Sequence, residues 1–278
     1  MGWVARRARG MSQRTRVLAV SAVAVVGACG ALLLIPANVG ATALIRGSAS
    51  QASRPQPLAT PTSEAPGGAA AVGALFTMSS GQLDSHFCTA SVVHSTHGDL
   101  AVTAAHCLDG IEGQVVFVPG YANGKDPYGI WRVTAVYTSQ AWQSSQDPDD
   151  DVAFLRLANS SSGAPIEHVT GAEQFATGWS VPAPVRVTGY PSDTDQPISC
   201  TDTATAYSPT QLEFDCDGYT DGTSGSALLA DVSASSGYGT IIGVIGGYEQ
   251  GGDTADVSYA AAFGTAIAAL YQRAEAGG

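Results

Sequence analysis

Residues 103–107 read Thr-Ala-Ala-His-Cys, and residues 222–228 read Gly-Thr-Ser-Gly-Ser-Ala-Leu. The first segment is the end of an apolar strand, so His106 lies at the strand end. The cysteine beside it, Cys107, can anchor this end through a disulfide. The second segment places Ser224 on a tight turn between two glycines, so that the backbone can point its amides at a substrate. These two segments decide how the rest of the chain is interpreted, because histidine and serine at strand ends are candidates for a base and a nucleophile.

An acidic segment between them supplies a carboxylate. Residues 149–157 read Asp-Asp-Asp-Val-Ala-Phe-Leu-Arg-Leu, so Asp151 directly precedes a mostly apolar strand and can be buried at its mouth. The neighbouring Asp149 and Asp150 are alternatives for this role, or solvated charges, or calcium ligands. A calcium loop fits less well, because Val152 stands where such a loop requires glycine. We therefore assign the orienting carboxylate to Asp151 and expect no metal.

The three segments supply complementary chemical groups. A serine hydroxyl is a poor nucleophile at neutral pH and needs a base within about 2.6 to 3.2 Å. His106 can take that proton, while a buried carboxylate at Asp151 holds the other ring nitrogen as a donor and stabilises the imidazolium. The oxyanion of a tetrahedral intermediate needs preorganised donors, for which the amides of Gly222 and Ser224 are the candidates. The sequence therefore predicts a catalytic triad with an oxyanion hole.

Together the three segments resemble the chymotrypsin/trypsin-like serine protease family, in one of its bacterial exported branches. The resemblance spans roughly residues 72–278, with Asp151 45 residues after His106 and Ser224 73 residues after Asp151. It implies two packed antiparallel β-barrels with the active site in the cleft between them, and hydrolysis of peptide bonds through an acyl-enzyme. The order His, Asp, Ser also excludes an α/β-hydrolase, in which the serine comes first.

Several positions depart from the family pattern. Thr223 stands before the serine, where many members have an aspartate that pairs with a freed N-terminus, so activation by that ion pair is not expected. Gly218 stands where trypsins place the aspartate at the pocket floor, so a preference for Lys or Arg does not follow. The strand expected to wall the pocket continues as Gly246-Gly247-Tyr248, and a bulky Tyr248 there predicts a pocket of restricted size.

The chain from residue 72 onward is typical of an all-β protein. Short β-branched or alternating runs separated by turn residues predict six strands in residues 72–160 and about six more in residues 178–260. We therefore expect two packed antiparallel barrels over these two ranges. Four apolar residues at helical spacing predict a closing helix at about 261–274, namely Phe263, Ile267, Leu270 and Tyr271.

Four of the five cysteines lie in this body and predict two disulfides. An even number of cysteines in an exported domain favours oxidation. Because each local pair flanks a short strand-turn-strand stretch, we expect Cys88 to pair with Cys107 and Cys200 with Cys216. Each bond would contribute about 3 kcal/mol through loop entropy. A zinc site is the alternative, and the lack of CxxC spacing counts against it.

Residues 1–46 predict a signal peptide or an N-terminal membrane anchor. Five arginines precede residue 17, and residues 17–35 form an uncharged run that is intermediate in length between a secretory signal core and a spanning helix. Because the bases come first, we expect the remainder outside the cytoplasm, either secreted or anchored through residues 17–35. Residues 47–71, rich in Ser, Ala and Pro, predict a disordered linker or pro-segment. The catalytic domain is assigned to residues 72–278.

Charge excludes one class of partner. Twelve Lys and Arg stand against 24 Asp and Glu, a net charge of −12, which argues against a protein that binds nucleic acid through its phosphates. We expect an exported serine endopeptidase that acts on protein or peptide substrates, as a monomer without a cofactor. The alternatives are a protease-fold binding module without turnover, and an esterase on the same fold.

Overall fold

The computed structural model describes residues 70–277. The predicted signal or anchor at residues 1–46, and residues 47–69 of the predicted linker, therefore lie outside the described residues. Within residues 70–277, no helix has the length and apolar character needed to cross a bilayer.

The first barrel is built from six antiparallel strands. They are β1 (Val72–Ser79), β2 (Gln82–Val93), β3 (Leu100–Thr103), β4 (Gln114–Pro119), β5 (Trp131–Thr138) and β6 (Ala153–Leu157). The sheet order is β1-β2-β3-β6-β5-β4, and β4 pairs with β1 to close the barrel. β-branched and aromatic residues are frequent in these strands because such side chains pack well in a buried sheet. Phe117 and Leu155 are among the fully buried residues.

The second barrel follows the same plan. Its strands are β8 (Ala183–Gly189), β9 (Ile198–Ala206), β10 (Gln211–Phe214), β11 (Ala227–Ala230), β12 (Thr240–Ile245) and β13 (Ser258–Ala262), and a two-residue strand β7 (Gln174–Phe175) runs parallel to β12. The order β11-β8-β9-β10-β13-β12 closes through a β11–β12 pairing. The two six-stranded barrels confirm the predicted fold class.

The described chain has three α-helices, namely α1 (Gln140–Ser145), α2 (Glu167–Thr170) and α3 (Thr265–Ala276). The predicted closing helix at 261–274 therefore begins too early. Residues 261 and 262 belong to β13, where Ala261 pairs with Gln211 and Val244 and Ala262 pairs with Gly243. An alanine-rich run carries no β signal of its own, so its pairing with two neighbouring strands decides its conformation.

A shared core holds the barrels and α3 together. It combines Val102 and Phe154 of the first barrel with Leu229 of the second, and with Ile267 and Leu270 of α3. All five side chains are nearly or fully buried. The loops at one edge of this core carry the residues that were predicted to be functional.

Candidate active site

His106 lies just beyond the end of β3, at the start of a 3-10 turn over His106–Leu108. The pairing of Thr103 with Ala153 places the end of β3 beside the start of β6. Because these strands are antiparallel, the residues that follow β3 and the residues that precede β6 lie at the same end of the barrel. A disulfide between Cys107 and Cys88 of β2 anchors this end of the first barrel.

Asp151 meets His106 through both carboxylate oxygens. Asp151 Oδ2 lies 2.7 Å from His106 Nδ1, and Oδ1 accepts the His106 backbone N–H at 2.8 Å. Oδ2 also accepts the Gly247 N–H at 2.8 Å, and the Asp151 side chain is almost completely buried. Because a carboxylate only accepts, the hydrogen belongs on Nδ1, which leaves Nε2 as the acceptor that can face a nucleophile.

The neighbouring aspartates have different partners. Asp149 accepts a hydrogen bond from Gln211 Nε2 at 2.9 Å, and Asp150 accepts one from Ser139 Oγ at 2.9 Å. Asp147 caps the turn through the Asp149 N–H. Of the aspartates considered for the orienting role, Asp151 is the one that contacts the imidazole.

Ser224 is half-buried on the turn that precedes β11. It lines the same cavity as His106. Within the described residues no hydrogen bond joins Ser224 Oγ to the ring of His106. Such contacts are often long without substrate and tighten in the complex, so the pairing of Ser224 with His106 stays a prediction.

The backbone of this turn leaves two amides free. Gly222 has a φ of +93°, which favours glycine, and a Cβ there would lie 2.5 Å from the carbonyl oxygen of Tyr190. Among residues 70–277, neither the Gly222 N–H nor the Ser224 N–H has a protein acceptor. Two unengaged amides beside a serine at a cavity wall can bind a developing negative oxygen.

A family model described as Trypsin matches residues 60–262. The chain belongs to the trypsin family. It is thus a serine protease by family, acting on proteins or peptides.

Solved protease structures resemble this member of the trypsin family. Protease Anisep from Arthrobacter nicotinovorans is 26% identical, with a TM-score of 0.65 over 77% of this chain and 100% of that chain. The thermostable serine protease AL20 from an extremophilic microorganism is 24% identical, with a TM-score of 0.64 over 76% and 99%. A Glu endopeptidase is 15% identical, with a TM-score of 0.59 over 75% and 91%. At these identities, AL20 and the Glu endopeptidase show a shared fold alone. No curated protein sequence matches the chain.

The trypsin-family cleft is a cavity of about 720 Å³ between the two barrels. Its first wall includes Phe87 and His106, and its second wall includes Tyr219 and residues 249–255. Burial raises the pKa of the Tyr219 phenol above its usual value, and its hydroxyl donates to the Val187 carbonyl at 2.7 Å. No lysine or arginine is among the residues that line the cavity. Four acidic residues line it, namely Asp109, Asp221, Glu249 and Asp253.

The four residues predicted for the substrate pocket, Gly218, Gly246, Gly247 and Tyr248, are not among those that line this cavity. Gly246 and Gly247 instead approach the buried carboxylate, and a Cβ on Gly246 would lie 2.8 Å from Asp151 Oδ2. Both glycines have positive φ, and Tyr248 follows them at the start of a 3-10 turn.

The side chain of Tyr248 is 37% exposed, and its ring centroid lies 5.0 Å from those of Tyr207 and Tyr259. The cavity wall after Ile245 is formed by residues 249–255 instead. The backbone turn at the two glycines therefore places the tyrosine outside the cavity lining.

Cys88, His106 and Cys107 bring ligand-type atoms within 4.8 Å of one another. The two sulfurs are bonded to each other, so neither is available as a thiolate ligand. The second disulfide joins Cys200 of β9 to Cys216, which follows β10. In the sequence, Cys216 lies shortly before the turn that carries Ser224.

Sequence reasoning missed Thr89. This residue of β2 is fully buried and forms hydrogen bonds to Gly222 and Ser224, more than 130 residues further along the chain. The sequence carried no signal for it except its position directly after Cys88.

Proposed function

We propose that this chain is an exported serine endopeptidase that uses Ser224, His106 and Asp151 as a catalytic triad. The observation that carries the proposal is the buried Asp151–His106 pair, at 2.7 Å, beside a cavity that also contains Ser224. The family membership supports protease activity, and the residue roles rest on this geometry.

In the first half of the reaction, His106 Nε2 takes the proton of Ser224 Oγ as that oxygen attacks the carbonyl carbon of the scissile peptide. The oxyanion that forms accepts hydrogen bonds from the amides of Gly222 and Ser224. His106 then gives the proton to the leaving nitrogen, the C–N bond breaks, and an acyl-enzyme remains on Ser224. Asp151 stays ionised and holds the ring throughout.

In the second half, a water molecule replaces the leaving amine. His106 removes a proton from the water as the water oxygen attacks the ester carbon, and the same two amides hold the new oxyanion. Collapse of this intermediate returns the proton to Ser224 Oγ and releases a carboxylic acid.

Two features support export, the N-terminal sequence and the disulfides. Five arginines precede the uncharged run at residues 17–35, which is the order of a signal peptide or anchor. Two disulfides require an oxidising compartment to persist. We therefore infer that the catalytic domain lies outside the cytoplasm.

Covalent labelling tests the proposal. A fluorophosphonate probe is expected to label the wild-type protein and a Ser235→Ala control, whose serine is exposed on a loop outside the cavity. The label should be lost in Ser224→Ala. A folded wild-type protein that is never labelled and cleaves neither casein nor a short ester would support the binding-module alternative, and ester cleavage without casein cleavage would support the esterase.

A further inference from the structure

The amides of Gly222 and Ser224, the proposed oxyanion donors, belong to peptide units whose carbonyls accept hydrogen bonds from other residues. The carbonyl of Asp221 accepts the Ser192 N–H at 2.7 Å, and the carbonyl of Thr223 accepts the Ser226 N–H at 3.0 Å. In a planar trans peptide the C=O and the following N–H point in opposite directions. Holding these two carbonyls therefore directs the amides of Gly222 and Ser224 the other way.

Thr89 holds the other two carbonyls of residues 221–224, those of Gly222 and Ser224. Its hydroxyl donates to the Gly222 carbonyl at 3.0 Å, and its backbone N–H donates to the Ser224 carbonyl at 2.8 Å. Thr89 is fully buried on the first barrel, whereas the loop belongs to the second. One residue thus fixes the loop from across the cleft.

The Thr89 hydroxyl also reaches the segment behind the loop. It accepts the Tyr190 N–H at 2.9 Å, and two residues later Ser192 is the donor that holds the Asp221 carbonyl. A hydroxyl has one hydrogen to donate and lone pairs to accept, and this one uses both roles. Its removal would leave a buried amide and a buried carbonyl without a partner.

The residue before the serine supplies no charge that could hold the loop. This residue is Thr223, and its hydroxyl donates to the Thr220 carbonyl at 2.7 Å, a bond within the same loop. A threonine carries no charge with which to attract a freed N-terminus. Among residues 70–277 the loop is held by hydrogen bonds from Thr89 and Ser192 and by the Gly225 N–H, which donates to the Ile245 carbonyl at 2.7 Å, without an ion pair at residue 223.

We propose that Thr89 is a positioning residue that keeps the oxyanion loop, residues 220–225, in its working conformation. The inference rests on the proposed function. Cys88 beside it is bonded to Cys107, the neighbour of His106, so the Cys88-Thr89 pair links the base to the oxyanion donors. Thr89 itself lies behind the loop and acts through the amides of Gly222 and Ser224.

Kinetics of hydroxyl-free variants test the inference. In Thr89→Val we expect kcat on a peptide substrate to fall about 10- to 100-fold with KM changed less than about threefold. The expected loss is smaller than the 10²- to 10³-fold caused by removing an oxyanion donor outright, because the amides remain but lose their orientation. Thr89→Ser keeps the hydroxyl and should retain kcat within about threefold.

A matched control separates positioning from stability. Thr170→Val removes another buried threonine hydroxyl, one that bonds only to carbonyls of its own helix end. It should leave kcat unchanged at temperatures where all variants are folded. A peptide boronate, whose tetrahedral adduct mimics the oxyanion, should bind Thr89→Val more weakly by the factor lost in kcat, whereas the matched unreactive peptide should bind equally well.

The outcomes that overturn the inference are distinct from those that overturn the proposed function. A wild-type protein that is neither labelled nor active removes the proposed function. An active wild type with kcat of Thr89→Val within twofold of it, or with the loss confined to KM, overturns only the role of Thr89. If Thr89→Val does not fold, Thr89→Ala replaces it, and failure of both to fold assigns Thr89 a purely structural role.

Discussion

The two walls of the cleft prepare their chemical groups in different ways. On the first barrel the working atoms are side chains, and a buried carboxylate orients His106 through hydrogen bonds to its ring and its backbone. On the second barrel the proposed oxyanion donors are backbone amides. Their orientation is set by the positive φ of Gly222 and by the hydrogen bonds that neighbouring carbonyls accept. The first wall should therefore be sensitive to loss of charge, and the second to an added Cβ.

The largest effect is expected on the first wall. Asp151→Asn removes the charge but keeps the shape of the side chain, so the imidazole loses its orienting acceptor and the imidazolium its stabilising charge. We expect kcat to fall about 10⁴-fold without unfolding, measured on a peptide substrate beside a thermal melt. Asp149→Asn is the control, because that carboxylate bonds to Gln211 instead. A loss below tenfold in Asp151→Asn would contradict the assigned role.

The second wall should respond to a methyl group. Gly222→Ala places a Cβ 2.5 Å from the Tyr190 carbonyl oxygen and 2.6 Å from the Ser192 nitrogen, so the loop must shift. We expect kcat to fall about 10²- to 10³-fold, as for the loss of an oxyanion donor. Gly237→Ala is the matched control, since Gly237 also has positive φ but no atom within 4 Å of the added Cβ. Equal activity losses in the two variants would argue for general strain.

A third prediction concerns the connection between the barrels. Glu173 is fully buried, its backbone bonds to Val92 and His94 of the first barrel region, and its Oε2 accepts the Gly239 N–H of the second. Burial raises the pKa of Glu173 to about 7, and Gly239 and Arg186 only partly oppose this. The folded form therefore holds the proton more tightly than the unfolded chain does.

This raised pKa makes stability fall as pH rises. The stabilisation is complete below about pH 4.5 and is lost as pH passes through about 7, with a total of up to about 3 kcal/mol. In Glu173→Gln, which stays neutral, this part of the pH dependence should vanish from urea melts between pH 4.5 and 8. The exposed Glu112→Gln control should keep the wild-type profile. Parallel profiles for all three proteins would rule out Glu173 as the source.

The smallest effect is expected from the acidic lining of the cleft. Glu249 and Asp253 are exposed at the cavity, so a cationic peptide should be attracted to it and an anionic peptide repelled. The double variant Glu249→Gln with Asp253→Asn should lower kcat/KM for a cationic peptide about two- to fivefold at low salt, and added salt should remove the difference. Asp231→Asn, outside the cavity lining, should have no such effect. A difference that persists in high salt would point to a contact other than long-range attraction.

Much of the fold could be predicted because its signals are local. The alternation of apolar residues and the turn residues between them indicated the six strands of the first barrel. The prediction omitted the five-residue strand β13, because Ala260 and its alanine neighbours have no strand pattern of their own and are extended through pairing with β10 and β12. The same gap made the predicted closing helix begin at residue 261 instead of Thr265.

The predicted substrate pocket shows what a match to a family pattern leaves undetermined at the site. Alignment of Gly246, Gly247 and Tyr248 with a family strand predicted a narrow substrate pocket. In the structure the two glycines lie against Asp151, and Tyr248 packs with other tyrosines outside the cavity lining. Two successive glycines at positive φ redirect the chain in a way that a residue-by-residue match does not reveal.

The sequence alone determined the family, the barrels and the three segments that carry His106, Asp151 and Ser224, since each is a contiguous pattern with its own chemistry. The sequence favoured Asp151 among three adjacent aspartates, but only the tertiary structure shows its contact with His106, and only the tertiary structure shows that Thr89 bonds to Gly222 133 residues away. Those choices depend on distances between segments remote in the chain, and such distances are set by strand register and barrel closure.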